Sequence, residues 1–263
     1  MVSDNIKEYY DSMSNNKLWD FIEGNPRVLR AWNMIKSLPI KPKNILEIGC
    51  GTGEIAWRMS QFWENANILA WDISPKSIDI AKRLFVSNNL SYVAFDSIFS
   101  IPTKIGKYDL VVLVDVYEHI PPQQREELSS FLKSNVASNG YVFLSCPTPR
   151  HLAWLRENQP SQIQPVDESI HMLDLLDFAN KISKQVVYYK EISVWSRGDY
   201  FHCILSSYEK WETYSDYPIE IGISLKKELI KRILKIFNKS YDEKRYEPSK
   251  KRRINMAKRA QLI

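Results

Sequence analysis

Asn44-Ile45-Leu46-Glu47-Ile48-Gly49-Cys50-Gly51-Thr52-Gly53-Glu54 decides the fold. A short apolar strand runs into glycines at three alternate positions, and a helix-forming stretch follows. Glycine lets the backbone turn sharply and approach a ligand closely. The start of the next helix aims free N–H groups at that ligand. A dinucleotide fingerprint requires a further glycine three residues after Gly51. Glu54 stands there, which disfavours a nicotinamide dehydrogenase.

Outward from this turn, apolar runs and helix-like runs alternate, the pattern of a parallel sheet with helical crossovers. Strands are expected at 44–48, 67–71, 91–95, 108–114 and 141–146, four of them ending at Ile48, Asp72, Asp96 and Asp115. The unbroken apolar run of 108–114 suits a strand buried on both faces. Ser74-Pro75 supplies a capping residue and a proline for a helix start. Pro121-Pro122 opens another helix, and Asn139-Gly140 reads as a turn. Residues 147–170 are polar and proline-interrupted and read as a long loop, followed by a helix over 172–182. Runs 185–195 and 200–206 are β-rich and joined by Ser196-Arg197-Gly198-Asp199, an expected hairpin. Before the sheet, residues 1–42 read as helical, with turns at Gly24-Asn25-Pro26 and Leu38-Pro39.

The chain has 263 residues, 44% of them hydrophobic, enough for one sizeable core with appendages. Cys50, Cys146 and Cys203 are odd in number and widely spaced, which argues against a disulfide framework or a zinc site. The opening residues lack a basic head and apolar stretch, and no apolar run nears the ~20 residues that span a bilayer. A cytoplasmic protein is the expectation. The net charge of +5 hides an asymmetry: residues 224–263 carry +10 and the remainder −5. Ile223, Leu225, Leu229, Ile230, Ile233, Leu234 and Phe237 form an apolar stripe against Lys226, Lys227, Lys231, Arg232 and Lys235, a basic amphipathic helix. It suits an acidic partner or an anionic membrane surface, with nucleic acid less favoured. A helix packed on the domain with a solvated end explains it as well.

The pattern E-x-G-x-G-x-G resembles motif I of the class I S-adenosylmethionine (SAM) methyltransferases. Asp115-Val116-Tyr117-Glu118-His119-Ile120 resembles the segment after strand four in their ubiquinone-type, small-molecule branch, with Tyr117 where leucine is common. The resemblance implies an α/β fold: a Rossmann-like, mostly parallel seven-stranded sheet with helices on both faces and a C-terminal antiparallel hairpin. It divides the chain into an N-terminal helical cap (1–42), a methyltransferase domain (43–210) and a basic extension (211–263).

The implied cofactor is SAM. The family places Glu47 near its methionine end, with Gly49, Cys50, Gly51 and Gly53 making room for it. Asp72, with Ile73 beside it, lies at the offset where a carboxylate accepts from both ribose hydroxyls; the alternative for Asp72 is a helix cap. The resemblance puts Asp96 and Ser97 at the adenine, Asp115 and Val116 under the cofactor, and His119 near the methionine or the acceptor. Tyr10 is the expected aromatic cover, with Trp19 second. Arg27 and Arg30 are candidates to neutralise a carboxylate, or a solvated helix face.

Methyl transfer to oxygen usually needs a proton acceptor, and histidine lies nearest neutrality. The candidate bases are His119, His151 and His171, with Asp167 and Glu168 beside the last. Metal-dependent catechol chemistry wants oxygen ligands after strand five, where Cys146-Pro147-Thr148-Pro149 stands, so no metal is expected. The acceptor reads as a small molecule, a glycan or a natural-product intermediate, methylated on oxygen rather than nitrogen. RNA or protein modification served by the basic tail, or SAM binding without catalysis, are the alternatives.

Overall fold

The computed structural model describes residues 4–95, 107–207 and 248–263. Helices α1 (Asp4–Glu23) and α2 (Pro26–Ile35) precede β1 (Asn44–Ile48), α3 (Glu54–Phe62), β2 (Asn67–Asp72), α4 (Pro75–Leu84), β3 (Leu90–Ala94) and β4 (Tyr108–Val114). Then come α5 (Pro122–Asn135), β5 (Val136–Pro147), α6 (Pro149–Asn158), α7 (Met172–Lys181), β6 (Gln185–Ile192), β7 (Tyr200–Ser206) and α8 (Lys250–Arg259). The sheet runs β3-β2-β1-β4-β5-β7-β6, with β7 antiparallel to both neighbours and every other pair parallel. This is the expected seven-stranded α/β architecture.

Successive strand residues point to opposite faces, and both faces of the central strands are apolar. Ile45, Leu110, Val112 and Phe143 face one core, which α1 to α4 and α8 cover with residues such as Phe21, Trp32, Met59, Ile78 and Ala257. Leu46, Ile48, Val111, Leu113 and Leu144 face the other, covered by Leu128 and Leu132 of α5 and Leu175 and Phe178 of α7. The order of strands reverses between β1 and β4, so a crevice opens beyond their carboxyl ends.

Two expectations are corrected. Asn139-Gly140 is not a turn before a strand; it lies inside β5, which advances from Val136 to Tyr141 while β4 advances only from Tyr108 to Leu110. A Cβ on Gly140 would come within 2.9 Å of the Tyr108 carbonyl oxygen. The glycine marks a bulge with close backbone approach. Residues 147–170 are not one loop either. Thr148 caps α6 through the His151 N–H, and Pro149 takes its first position, where a missing N–H costs nothing. The proline that suggested interruption starts a helix.

α8 clamps α1 from outside the sheet. Arg253 donates from Nε to Ile22 O (3.0 Å), from Nη2 to Glu23 O (3.2 Å) and from Nη1 to Pro248 O (2.7 Å). At the other end Arg83 Nη2 reaches Ala260 O and Gln261 O, each at 2.6 Å. Replacing Arg253 with alanine strands the carbonyls at the end of α1. Thermal unfolding should show a loss of about 2 kcal/mol; an unchanged midpoint would mean that α8 does not fasten α1.

His202 on β7 is 4% exposed, its ring lies 5.2 Å from Phe143, and its Nε2 has no partner among the described residues. Burial, and then nearby Arg30, push its pKa down to about 4. The unfolded chain binds this proton nearer pH 6.5, so stability is complete above that value and is lost as pH falls towards 4. The loss should approach ~3 kcal/mol. In denaturant titrations at pH 7 and pH 4.5, His202→Phe should flatten this dependence; an unaltered slope would assign the acid loss elsewhere.

Candidate active site

The turn after β1 and the turn after β4 face each other across the crevice. Gly49, Gly51 and Gly53 take φ values of 72°, 53° and 86°. A Cβ on Gly49 would stand 2.3 Å from Val116 Cγ2. Close approach is therefore built into the site from both strands. Asp72, at the end of β2, braces the glycine turn: its Oδ2 accepts from Gly51 N at 2.7 Å and its Oδ1 from Ser74 N at 2.9 Å. Ser74 in turn donates to Asp11 of α1 at 2.5 Å. Asp72 thus ties three elements together, and Ser74, not Asp72, caps α4.

α1 lies over the crevice. Tyr10, Met13, Lys17 and Phe21 project from it at helical spacing, and Glu47, Gly49, Cys50, Gly51, Arg27, Asp115, His119 and Gln164 complete a cleft of about 150 Å³. Lys17 Nζ sits 5.3 Å over the Tyr10 ring. Glu54, in the third-glycine position, turns aside to Arg58, whose Nη2 lies at 2.7 Å and Nε at 3.1 Å. Arg27 pairs with Asp115, donates to the Tyr200 hydroxyl at 3.4 Å and lies 5.9 Å from the Trp195 ring. Asp115 has a φ of 54°, a strained conformation for a non-glycine residue. Burial raises its pKa while Arg27 opposes the rise.

His119 is held firmly. Its Nδ1 lies 2.7 Å from Val166 O and 3.2 Å from Asp167 Oδ1. A carbonyl only accepts, so Nδ1 carries the proton and the neutral ring has its lone pair on Nε2. Nε2 lies 3.8 Å from Glu118 Oε1. Burial works against the imidazolium, but Glu118, Asp167 and Val166 O outweigh it and push His119 up to about 9. Burial pushes Glu118 up to about 7, with His119 opposing. Tyr117, the departure from leucine, is buried against Phe178, with ring centroids 4.7 Å apart, and lies under Arg125.

The structure therefore gathers Tyr10, Glu47, Gly49, Cys50, Gly51, Asp115 and His119 around one cleft. Asp72 and Val116 touch the glycine turn from behind, at Gly51 and Gly49, without lining the cleft; Gly53 packs towards Tyr92 and Ala81, and Ile73 packs on the core. Trp19 is 52% exposed on the far side of α1. Asp96, Ser97 and the amphipathic run 223–237 lie outside the described residues. His151 stacks on Trp154 (6.4 Å between centroids) and approaches Tyr200 (6.1 Å) without lining the cleft. His171 is exposed at the start of α7, its backbone N–H donating to Asp174. Asp167, grouped in sequence with His171, instead serves His119.

The methyltransferase-domain family matches residues 25–184. The chain belongs to that family. The matched part is a methyltransferase domain, for which the sequence implies SAM as the methyl donor. Malonyl-[acyl-carrier protein] O-methyltransferase 1 of Ilyobacter polytropus is 37% identical over 86 residues, 32% of this chain and 31% of that protein. Ajmaline N-methyltransferase of Rauvolfia serpentina is 24% identical over 167 residues, 60% and 56% of the two. The matched stretch thus spans less than two thirds of either relative. Among solved structures, the N-methyltransferase NodS of Bradyrhizobium japonicum in complex with S-adenosylhomocysteine superposes with a TM-score of 0.61 at 15% identity, covering 77% of this chain and 98% of that one. Magnesium protoporphyrin IX methyltransferase of Synechocystis gives 0.57 at 18%, covering 76% and 97%. At these identities the structural likeness bears on the fold alone.

The methyltransferase's own atoms fit such a cofactor. Among the described residues, Glu47, 3% exposed, has no hydrogen-bond partner at Oε2, and Asp115 Oδ1 is likewise unpartnered. Buried acceptors without donors are costly, and an ammonium group would satisfy them. The glycine turn leaves room beside them, and α3 begins there without a side-chain cap.

Proposed function

We propose that this methyltransferase methylates an oxygen of a small-molecule, glycan or natural-product acceptor, with His119 as proton acceptor. The fixed tautomer of His119 at the cleft wall carries this reading. When bound, SAM offers a methyl carbon on a sulfonium whose bonding pair leaves with sulfur, so no acid is needed for the leaving group. What the protein must add is alignment, exclusion of water and, for a hydroxyl, a place for the proton. α1 supplies the cover through Tyr10, Met13 and Phe21. Glu47 and Asp115 would hold the ammonium, and the turn from Gly49 to Gly53 would hold the backbone side. His119 Nε2 takes the hydroxyl proton, and Asp167 and Glu118 stabilise the resulting cation. Support for an oxygen acceptor also comes from the malonyl-carrier O-methyltransferase relative, within its short match.

RNA or protein modification rests on the basic tail. Within the described part of that tail, Arg253 bonds to the backbone of α1 and Lys250 pairs with Glu23 at 2.6 Å. Those charges serve packing, so the small-molecule reading is preferred. An acidic partner or an anionic membrane surface for residues 223–237 belongs to the same proposal, as does a cytoplasmic location; no helix among the described residues is long and apolar enough to cross a membrane.

Calorimetric titration with SAM, S-adenosylhomocysteine and NAD tests the foundation. The first two should bind with micromolar affinity and NAD should not. Glu47→Gln should weaken SAM by about tenfold, the worth of one charged hydrogen bond. Preference for NAD, or no SAM binding, would remove the proposal.

A further inference from the structure

Among the described residues, four that line the cleft each carry a buried polar atom without a hydrogen-bond partner: Glu47 Oε2, Asp115 Oδ1, Arg27 Nε and Gln164 Oε1. The first two stand at the ends of β1 and β4, beside the glycine turn. Arg27 already engages Asp115 and Tyr200 through its guanidinium. Gln164 is different. It comes from the connection between α6 and α7, on the wall that carries His119.

One carboxylate links the parts of that wall. Asp167 Oδ2 accepts from Gln164 N at 2.9 Å while Asp167 Oδ1 engages His119 Nδ1 at 3.2 Å. Arg156 grips the Asp167 carbonyl and donates to Ser169 Oγ at 3.0 Å. Glu168 N donates to Glu118 O at 2.9 Å, tying the connection to the segment that bears His119. Gln164 and His119 are therefore set relative to each other through Asp167. A buried amide oxygen without a donor is a standing cost that a ligand can remove.

We propose that Gln164 Oε1 recognises a second hydrogen-bond donor on the methyl acceptor, beside the hydroxyl that faces His119. The hydroxyl's single proton goes to His119 Nε2, so Gln164 needs another O–H or N–H on the same molecule. The acceptor class is then a diol, an amino alcohol or a sugar, and a compound with one hydroxyl leaves Gln164 unpaired. A site built to bond a polar group rejects analogues that lack it far more strongly than a pocket rejects a missing methylene. This inference rests on the small-molecule reading above and deepens it.

Matched pairs test it: cis-1,2-cyclohexanediol against cyclohexanol, catechol against phenol, and 2-aminophenol against phenol. Each is titrated calorimetrically into the protein saturated with S-adenosylhomocysteine. The two-donor member of at least one pair should bind about tenfold or more tightly, the scale of one unmade buried hydrogen bond. Gln164→Leu should erase that preference, and Gln164→Glu, which keeps an accepting oxygen, should retain it. A wild-type circular dichroism spectrum and cooperative thermal unfolding in both variants separate loss of the contact from loss of the fold. Equal binding within every pair, no binding of any pair, or a preference that survives Gln164→Leu would overturn the proposal. Loss of the preference in Gln164→Glu as well would assign the contact to the amide N–H and overturn it too. Failure of the wild-type protein to bind S-adenosylhomocysteine would instead strike the reading beneath it.

Discussion

Gly49→Ala should weaken SAM binding by about 100-fold, a larger effect than any single side-chain loss in the cleft. Two independent costs converge there. The residue sits at φ 72°, where a Cβ is strained in any surroundings. Its Cβ would also lie 2.3 Å from Val116 Cγ2 and 3.2 Å from Cγ1. Neither atom is the end of a long flexible chain, so the turn after β1 and the turn after β4 must move apart. Overpacking of this kind costs ~1–3 kcal/mol and the backbone strain a similar amount. The movement opens the seam where Glu47 and Asp115 converge. Val116→Ala in the Gly49→Ala background removes the clash and leaves the strain, so it should restore part of the affinity, as coupled neighbours do. Titration of SAM into the two variants decides this. Retention of wild-type affinity in Gly49→Ala would show that the β1–β4 seam does not shape the cofactor site.

The same seam explains how much the sequence reveals. Alternation of apolar and glycine positions in 44–54 is a local pattern with one low-strain solution, a strand, a tight turn and a helix, and the structure has all three. Ser74-Pro75 likewise specifies a helix start from two adjacent residues. Gly140 is ambiguous because a glycine serves a turn and a bulge equally. Only the partner strand decides, through the Tyr108 carbonyl at 2.9 Å, and no local pattern contains that partner. Pro149 misleads for a related reason: proline breaks a helix in its interior and begins one at its first position. Thr148 was the signal that distinguishes the two.

At the site, residues bound to strand ends are legible because the fold class fixes where strands end. That rule places Asp115 and His119 in the crevice, and the family resemblance adds Glu47. Gln164 and Lys17 do not. Lys17 could have been found from its spacing: Tyr10, Met13, Lys17 and Phe21 fall on one helical face. Gln164 carries no local signal, since its place depends on Asp167 turning back to His119, a residue far away along the chain. Histidine type alone singles out His151 and His171 as readily as His119. Burial and hydrogen bonding distinguish them, and both are tertiary properties.

The pH dependence of His119 follows from those same contacts. With its pKa pushed up to about 9, the ring is cationic at pH 7 in the free protein. The neutral fraction, which alone accepts a proton at Nε2, grows roughly tenfold per pH unit up to that value. The kcat/KM of methyl transfer to a hydroxyl acceptor should therefore rise from pH 7 and level near pH 9. Asp167→Asn removes a carboxylate that stabilises the cation, so the limb should shift to lower pH and the plateau should fall with the weaker base. The amide introduced by that substitution still offers an oxygen to Nδ1–H, which keeps the tautomer. His119→Gln should abolish the limb and cost ~10²–10⁴ in rate, the usual worth of a general base. The stability linkage runs the opposite way to that of His202. A pKa raised on folding stabilises the protein below pH 6.5, and that contribution disappears as pH rises through 9. Imidazole proton NMR on the wild type and Asp167→Asn reads the pKa without any acceptor present. A value near 6.5 that ignores Asp167 would remove His119 as the tuned base. A raised value with a flat rate profile would make it a fixed cation that positions the acceptor.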